Sequence, residues 1–504
     1  MKRKYQTVKI AFCALLFFVG GAIIATSAHA QIVLTMEKAM EIAGKNSPTL
    51  RNALMNMERY QQNLIAQRAA LKSQFSLSLN PLDFSQTRTY NDYYASWYTT
   101  KSIQTSGTFR VDQPILLTDG TLSLVNTFGW QNNTSTGASE SENRNKAFSN
   151  NLYLSLSQPI FTYNRRKLQL RQIEFDLENA NINYALQRLN IERMITQQFY
   201  SVYTAQNNLL IRQDELENAQ QSYEIIKNKV DADMSAREEL YQAEVNLANA
   251  QSSMEDQEVQ LANSKDVLKQ TIGMDLDENI AVEGEVVITP VDINVQQAVD
   301  RGLASRLELR QREIETKNLE FTMIQTKAQN EFSGTINLSV GLMGENEQFQ
   351  HIYRNSVPNP RVQVSFSVPL FDWGANKARV KAQQVAQQIN QLEAQNERID
   401  IELNIRQTYR SLENLKRQIK LAEQNVTNAQ MTYDLNLVRY REGDITGMDI
   451  SQFQTQLSSA KMSYSQALIN YKIELLNMKI LSLYDFEKNT PIVPLADVNN
   501  EQAK

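Results

Sequence analysis

Cysteine and histidine, the side chains most often used as nucleophiles, general bases and metal ligands, are scarce in this 504-residue chain. Cys13 and His29 lie near the N-terminus, so the rest of the chain has no thiol and only the imidazole of His351. A His-based triad or a multi-histidine metal site is therefore nearly excluded. The sequence also shows no paired carboxylates, glycine-rich phosphate loop or metal-ligand spacing, so we expect neither an enzyme nor a cofactor.

The N-terminal segment, residues 1–30, is typical of a secretory signal peptide. Four basic residues precede an apolar run over 10–24, and residues 28–30 (AHA) form a small-residue cleavage site. The run is about fifteen residues long, whereas a helix needs ~20 to cross a bilayer. We therefore expect cleavage after Ala30, and a retained membrane anchor is the alternative.

The charge balance of the remaining chain restricts its partners. Loss of the four basic residues lowers the Lys and Arg count from 51 to 47 against 56 Asp and Glu, which gives a net charge of −9. A nucleic-acid partner is disfavoured because phosphate binding needs an excess of Lys and Arg. The remaining chain has no apolar run of ~20 residues, so it is either soluble in the periplasm or inserted in the outer membrane as β-strands.

An internal duplication organises the chain. The residues of 218–223 (NAQQSY) recur at 428–433 (NAQMTY), and those of 159–161 (PIF) recur at 369–371 (PLF), both after 210 residues. Each copy reads as a helix, strands, a long helix and a return helix. The expected divisions are a signal peptide at 1–30, a first repeat at 31–273, a linker at 274–293, a second repeat at 294–486 and an unpacked tail at 487–504.

The helical parts are unusually long and have heptad spacing. Apolar residues recur at alternating steps of three and four, which is typical of a helix packed in a coiled coil. We expect the first long helix to run from Pro159 to a tip near Met234, about 75 residues or ~112 Å. Two shorter helices match its length, and the second repeat has its tip near Ile445. The seam of the second repeat is Leu412, Leu415, Ile419, Ala422, Val426, Ala429 and Tyr433.

Four segments alternate apolar and polar residues with period two, namely 75–79, 152–156, 336–342 and 362–368. One apolar and one polar face are typical of a membrane strand, which needs ~9–11 residues, although a half-buried strand of a soluble sheet has the same pattern. Four strands cannot close a barrel, so a membrane location requires several copies to share one barrel. We expect 80–150 to form an enlarged outward loop or an extra hairpin, with 122–128 as a candidate strand.

Three segments together resemble the TolC-like outer-membrane efflux family. They are residues 35–50 (TMEKAMEIAGKNSPTL), 368–374 (VPLFDWG) and 440–450 (YREGDITGMDI). The resemblance implies a mainly α fold with β: a trimeric, twelve-stranded outer-membrane β-barrel continued by a periplasmic α-helical coiled-coil barrel. It further implies contact with outer-membrane lipid of a Gram-negative bacterium, a periplasmic adaptor and an inner-membrane transporter of the RND, ABC or MFS type.

The resemblance also assigns candidate sites. Glu239 and Asp449 match acids that narrow the periplasmic entrance, where a ring of carboxylates would raise its own pKa values and attract cations. Three departures weaken the match: Gln452 replaces a second acid, Ile445 occupies a position that can carry a gating arginine, and Asp233 stands where glycine is usual. The implied adaptor contacts are Met234, Ser235, Ala236, Asp444, Ile445 and Thr446, and the strand–helix joints are Pro159 and Pro369.

Two functional hypotheses remain from the sequence. The first is a passive trimeric duct of a tripartite efflux or type I export system, which conducts drugs, small molecules or peptides and proteins. The second is a periplasmic adaptor or a structural coiled-coil protein of the envelope. For Glu239 and Asp449 the alternative is ordinary solvated charge on a helix face.

Overall fold

The computed structural model describes residues 32–93, 95–136, 142–284, 291–354, 356–442 and 444–492. The expected signal peptide, the middle of the expected linker (285–290) and the end of the expected tail (493–504) lie outside these residues. The helices are α1 (Met36–Asn46), α2 (Pro48–Ala70), α3 (Arg165–Asp231), α4 (Arg237–Ile272), α5 (Val295–Ser305), α6 (Leu307–Ala328), α7 (Ala375–Glu442) and α8 (Gly447–Ser482), with a 3-10 turn at Phe349–His351. The strands are β1 (Ile32–Leu34), β2 (Gln74–Asn91), β3 (Ser96–Ile115), β4 (Gly120–Thr136), β5 (Glu142–Ile160), β6 (Ile280–Val282), β7 (Ser333–Asn346), β8 (Val357–Pro358), β9 (Arg361–Ser367), β10 (Tyr484–Asp485) and β11 (Thr490–Pro491).

Two compact units divide the chain, and each draws segments from both sequence repeats. The repeats at 31–273 and 294–486 are therefore not the compact units of the fold, because residues of one repeat pack with those of the other. The first unit contains the described residues within Met1–Pro48, Met194–Ile288 and Arg417–Asn470. The second contains the described residues within Thr49–Arg193, Thr289–Lys416 and Tyr471–Lys504.

The first unit consists of helical segments and a small parallel sheet. Strand β1 pairs with β6, with Ile32 opposite Ile280, and the side chains of Leu34 and Ile280 are fully buried. Helix α4 ends at Gly273, whose φ of 75° is the left-handed conformation that glycine adopts without steric cost. A Cβ at Gly273 would also collide with the carbonyl of Asn46, so glycine permits the close approach of α1 and α4.

The apolar seam of the second repeat packs as expected where α7 and α8 meet. Tyr433 of the predicted seam joins Tyr440, Ile450 and Leu457 in one buried cluster. Steps of seven residues bring Ile450 and Leu457 to the same face of α8, so both side chains meet α7.

The second unit contains one antiparallel sheet in the order β2-β3-β4-β5-β7-β9, with β8 also pairing with β7. The four expected strand segments lie in β2, β5, β7 and β9, and the candidate strand at 122–128 lies in β4. Of the two alternatives expected for 80–150, the described residues form the extra hairpin and not an outward loop, because they are mostly strand. In these strands Ser, Thr and Asn recur at alternate positions and form one polar face. In the sequence alone, so many polar residues resemble a loop.

Each face of the sheet has its own chemistry, because residues directly opposite one another in an antiparallel pair share a face. One apolar row crosses five strands and contains Phe75, Val111, Leu124, Leu154 and Val340. A second row contains Leu122, Leu156, Leu338 and Val362. Most of these side chains are exposed in the subunit. The other face carries hydrogen-bonded polar side chains, among them Arg110, Asp112 and Ser123.

Several expected boundaries are wrong. Pro159 lies inside β5, opposite Thr335, so α3 begins later than expected and has 67 residues. The single helix expected at the start of the first repeat is observed as two, α1 and α2. Pro48 has no backbone N–H to continue the first helix and is suited to start the second. A similar break separates α5 from α6 at Arg306.

The expected tail is partly folded, contrary to the expectation that it is unpacked. Strand β11 pairs with β10, and the Ile492 N–H donates to the Leu483 carbonyl over 2.9 Å. The side chain of Lys472 also forms an ion pair of 3.3 Å with Glu487. Backbone pairing therefore holds the chain as far as residue 492.

Candidate functional site

The turn between α7 and α8 is closed by a reciprocal capping arrangement. The Thr446 N–H and hydroxyl donate to Asp449 Oδ2 over 2.9 and 2.7 Å, and the Asp449 N–H donates to Thr446 Oγ1 over 3.2 Å. Threonine at the N-cap and an acid three residues later satisfy N–H groups that the first helical turn leaves unpaired.

These contacts lower the pKa of Asp449. Hydrogen bonds from the Thr446 side chain and backbone, with Arg439 nearby, hold the pKa of Asp449 below its ordinary value. In a single subunit the shift is thus opposite to the rise that a ring of carboxylates would produce.

The turn between α3 and α4 uses Glu239 in a related way. The Ser235 hydroxyl donates to the Glu239 carboxylate, while Ala236 at the N-cap offers no side-chain acceptor. Asp233, where the resemblance implies glycine, has a φ of 55° and keeps the left-handed backbone of this turn. Asp tolerates that conformation better than most residues, so the departure from glycine preserves the turn geometry.

A cleft of about 510 Å³ lies between the tip halves of α3, α4, α7 and α8. Glu239 lines the cleft, but Asp449 does not, so one subunit does not place both acids in the same cavity. Most of the lining residues are polar, and the charged ones are Glu215, Glu238, Glu239 and Arg441.

Tyr440 connects the two hairpins inside this unit. Its hydroxyl lies 3.3 Å from Ser222 Oγ, and Lys229 Nζ lies 5.7 Å from the centre of its ring. Ile226 of α3 approaches Gly447 of α8 so closely that a Cβ at Gly447 would meet it at 2.9 Å. Sequence reasoning placed Tyr440 in a family-like segment but did not identify it as a contact residue. The partner Ser222 had no local signal.

The six expected adaptor-contact residues differ in availability. Met234 is 77% exposed, and Ala236, Asp444 and Thr446 are also exposed. Ile445 instead packs against the buried cluster of α7 and α8. The half-buried Ser235 is engaged with Glu239. Fewer residues are therefore exposed and available at the tips than the six that were expected to contact an adaptor.

The two strand–helix joints are capped differently. Before α7, the Asp372 carboxylate accepts from the N–H groups of Gly374 and Asn376 over 2.9 and 2.8 Å. Before α3, the position 210 residues earlier is Thr162. The acceptors are Asn164 Oδ1, for the Lys167 N–H, and Asp119 from the β3–β4 turn, for the two preceding N–H groups. Pro369 lies between the end of β9 and the start of α7.

Asp119 is a buried anchor. Its carboxylate accepts from the N–H groups of Arg165 and Arg166 over 3.3 Å and forms an ion pair of 3.3 Å with the Arg166 guanidinium. A negative charge at a helix N-terminus meets both unpaired N–H groups and the positive end of the helix dipole.

No described helix is both long enough and apolar enough to cross a membrane. No group of three or more His, Cys, Asp or Glu side chains within the described ranges is placed to hold a metal ion.

Solved structures show the same fold at low sequence identity. The Campylobacter jejuni CmeC outer membrane channel is 15% identical, with a TM-score of 0.70 over 92% of this chain and 89% of that chain. VceC from Vibrio cholerae is 14% identical, with a TM-score of 0.65 over 90% and 95%. The open state of Neisseria gonorrhoeae MtrE is 14% identical, with a TM-score of 0.65 over 89% and 88%. The fold is therefore TolC-like.

The sequence comparisons decide the family. No curated protein gives a significant sequence match to the chain. The model of the family "outer membrane efflux protein" matches residues 120–274 and 303–481, which is more than half of the chain. The chain therefore belongs to the outer membrane efflux protein family and is an outer-membrane channel protein with a periplasmic extension, not an enzyme.

Proposed function

We propose that the chain forms a homotrimeric duct of a tripartite efflux or type I export system. The duct conducts drugs, small molecules or peptides and proteins passively. A periplasmic adaptor links it to an inner-membrane transporter of the RND, ABC or MFS type, which supplies the energy. The observation that carries the proposal is an apolar seam on α7 that the single subunit leaves open.

The open seam lies on the part of α7 that belongs to the second unit. Its side chains are all exposed and are spaced by heptad steps: Val385, Ile389, Leu392, Ile399 and Leu403. Buried Ile401 and Ile405 point to the opposite side of the same helix. A helix with two apolar seams needs two neighbours, and the subunit supplies only one. A second copy of the chain supplies the other.

Assembly tests this proposal directly. The protein purified in detergent should migrate as a trimer that dissociates on heating. Leu392→Glu should abolish the trimer, because it places a charge in the apolar seam. The matched control Gln395→Glu makes a similar charge change on an exposed side position of α7 and should leave the trimer intact. A wild-type protein that is a water-soluble monomer without detergent would exclude a duct.

The tip turns are proposed to contact the adaptor through Met234, Ser235, Ala236, Asp444, Ile445 and Thr446. The exposed Met234 and Asp444 are the strongest of these, since Ile445 is packed within its own hairpin. A photo-crosslinker at Met234 should capture a co-expressed adaptor, whereas one at Tyr241, an exposed residue further along α4, should capture less. Equal capture at both positions would remove the tip from the interface.

A further inference from the structure

We propose that each subunit contributes six strands to the wall of a membrane β-barrel shared by the three copies. In this barrel, β2 of one copy pairs with β9 of the next. Three copies would then close a ring of eighteen strands, whereas the family resemblance implies twelve. This inference rests on the proposed trimer and goes beyond it by specifying which sheet edges meet.

Both sheet edges are open in the subunit. Strand β2 pairs only with β3, and all of its residues are exposed; strand β9 pairs only with β7, and all of its residues are exposed. These statements hold for the described residues of the sheet. Open edges present unpaired N–H and C=O groups, which lipid does not tolerate. An inserted sheet must therefore pair both edges.

The strand directions allow this closure. Every neighbouring pair in the order β2-β3-β4-β5-β7-β9 is antiparallel, so with six strands the two edges run in opposite directions. Rotation about a shared axis brings β9 of one copy beside β2 of the next without inverting a subunit. The joined edges are then antiparallel, like every other pair in the sheet.

The apolar rows reach both edges. Phe75 on β2 is 71% exposed and Val362 on β9 is 72% exposed, and both lie on the face that carries the leucine rows. If β2 and β3 lay outside the membrane wall, Phe75, Leu77 and Phe109 would have no apolar surroundings. Their inclusion extends one continuous lipid-facing band across the sheet.

The alternative twelve-strand ring would use only β4, β5, β7 and β9 from each copy. The family match begins at residue 120, the first residue of β4, so β2 and β3 lie outside it. In that arrangement β4 would be the closing edge. However, β3 already occupies this edge without interruption from Thr99 opposite Thr136 to Ile115 opposite Gly120.

The β3–β4 turn is also fixed to the rest of the fold. Its Asp119 carboxylate binds the first N–H groups of α3, and the Arg166 side chain donates to the Gly120 carbonyl over 3.0 Å. Displacing β3 and its turn from the wall would leave the start of α3 without this acceptor. We therefore place β2 and β3 in the barrel wall.

Cysteine pairing distinguishes the two rings. The only natural cysteine, Cys13, is first replaced by serine. The first variant carries Leu77→Cys on β2 and Val364→Cys on β9. Two further variants place the β2 cysteine at Phe75 or at Leu79, so that three possible registers between β2 and β9 are tested. The matched variant carries Leu124→Cys on β4 with Val364→Cys. Oxidation is carried out in outer membranes, and the products are read on a non-reducing gel.

Neither pair can close within one subunit. Strands lie ~4.8 Å apart, so β2 and β9 are separated by five spacings and β4 and β9 by three, whereas a disulfide needs Cα atoms within ~7 Å. Any covalent product therefore joins two copies.

A six-strand contribution predicts covalent dimers and trimers from a β2–β9 pair and none from the β4–β9 pair. Products from the β4–β9 pair instead would overturn the inference and support twelve strands. A heat-sensitive trimer in which no β2–β9 pair forms products would also overturn it. If the protein forms no trimer at all, the proposed function itself fails.

Discussion

At the scale of single residues, the tip carboxylates have a structural role that the sequence did not show. Asp449 completes a capping arrangement with Thr446, and Glu239 accepts from Ser235. Replacing either acid with alanine would remove a charge and disturb a helix start together. A test of an electrostatic constriction must therefore separate charge from capping.

Block of the channel by multivalent cations provides this separation. The double variant Glu239→Gln and Asp449→Asn removes both charges but retains oxygen acceptors, and we expect it to weaken block in planar bilayers. Thr446→Ala removes the partner hydroxyl and keeps the charge, so it should preserve block. Unchanged block in the double variant would leave both acids as solvated charges.

The negative charge of Asp449 strengthens its hydrogen bonds with Thr446, and this predicts a pH dependence. Its pKa in the folded protein is depressed, so its contribution to stability is present above the ordinary Asp pKa of ~3.9 and is lost as pH falls through the lower folded value. We expect Asp449→Asn to lower the melting temperature near neutral pH and to have little effect in strong acid. A melting-temperature difference that persists unchanged in strong acid would contradict this assignment.

At the scale of elements, the start of α3 depends on a strand turn far away in the sequence. Asp119→Asn keeps the size of the side chain, and Asn also adopts the left-handed backbone conformation found at this position. The substitution removes the charge that pairs with Arg166. We expect a loss of about 0.5–2 kcal/mol in the free energy of unfolding, as for other lost helix caps. Urea unfolding in detergent measures it, and Asp83→Asn on the exposed edge strand β2 is the control. Equal losses in both variants would deny Asp119 a special role.

The contact between the two hairpins is a second element-scale feature. Tyr440→Phe removes the hydroxyl that meets Ser222 but keeps the ring beside Lys229. The resemblance to the TolC-like family implies that the channel opens when the tip helices untwist. Loss of one neutral hydrogen bond between the hairpins costs about 0.5–1.5 kcal/mol, so the equilibrium between closed and open tips should shift by up to about tenfold. Single-channel recordings should show a higher open fraction.

Ser222→Ala tests the same contact from its other side. It should reproduce the effect of Tyr440→Phe, and the double variant should add little to either single change. Additive effects would show that the two hydroxyls do not act together.

At the scale of the whole molecule, the distal part of the β2–β3 hairpin is expected to be dispensable for assembly. Gln86 lies opposite Lys101, so replacing residues 86–101 with Asn-Gly joins the opposite residues Ser85 and Ser102 by a two-residue turn. The apolar rows lie nearer the helices and remain intact. We expect heat-sensitive trimers in normal amounts, and their loss would place an assembly contact in the removed segment.

The sequence determined the features that repeat locally. Heptad spacing predicted that Tyr433 lies in the buried seam of the second hairpin, and period-two alternation predicted strands at 75–79, 152–156, 336–342 and 362–368. The duplication was visible because equivalent positions repeat after 210 residues. Such patterns are readable because a helix or a strand fixes which neighbouring side chains share a face.

Only the tertiary structure decided the contacts between distant segments. The cap from Asp119 to Arg165, the contact of Tyr440 with Ser222 and the packing of both repeats into each compact unit all join residues far apart in the sequence. The sequence left a loop and an extra hairpin open for 80–150, because polar alternation in a strand resembles a loop when its neighbours are unknown. Long-range pairing depends on chain path and register, and neither leaves a periodic signal in one sequence.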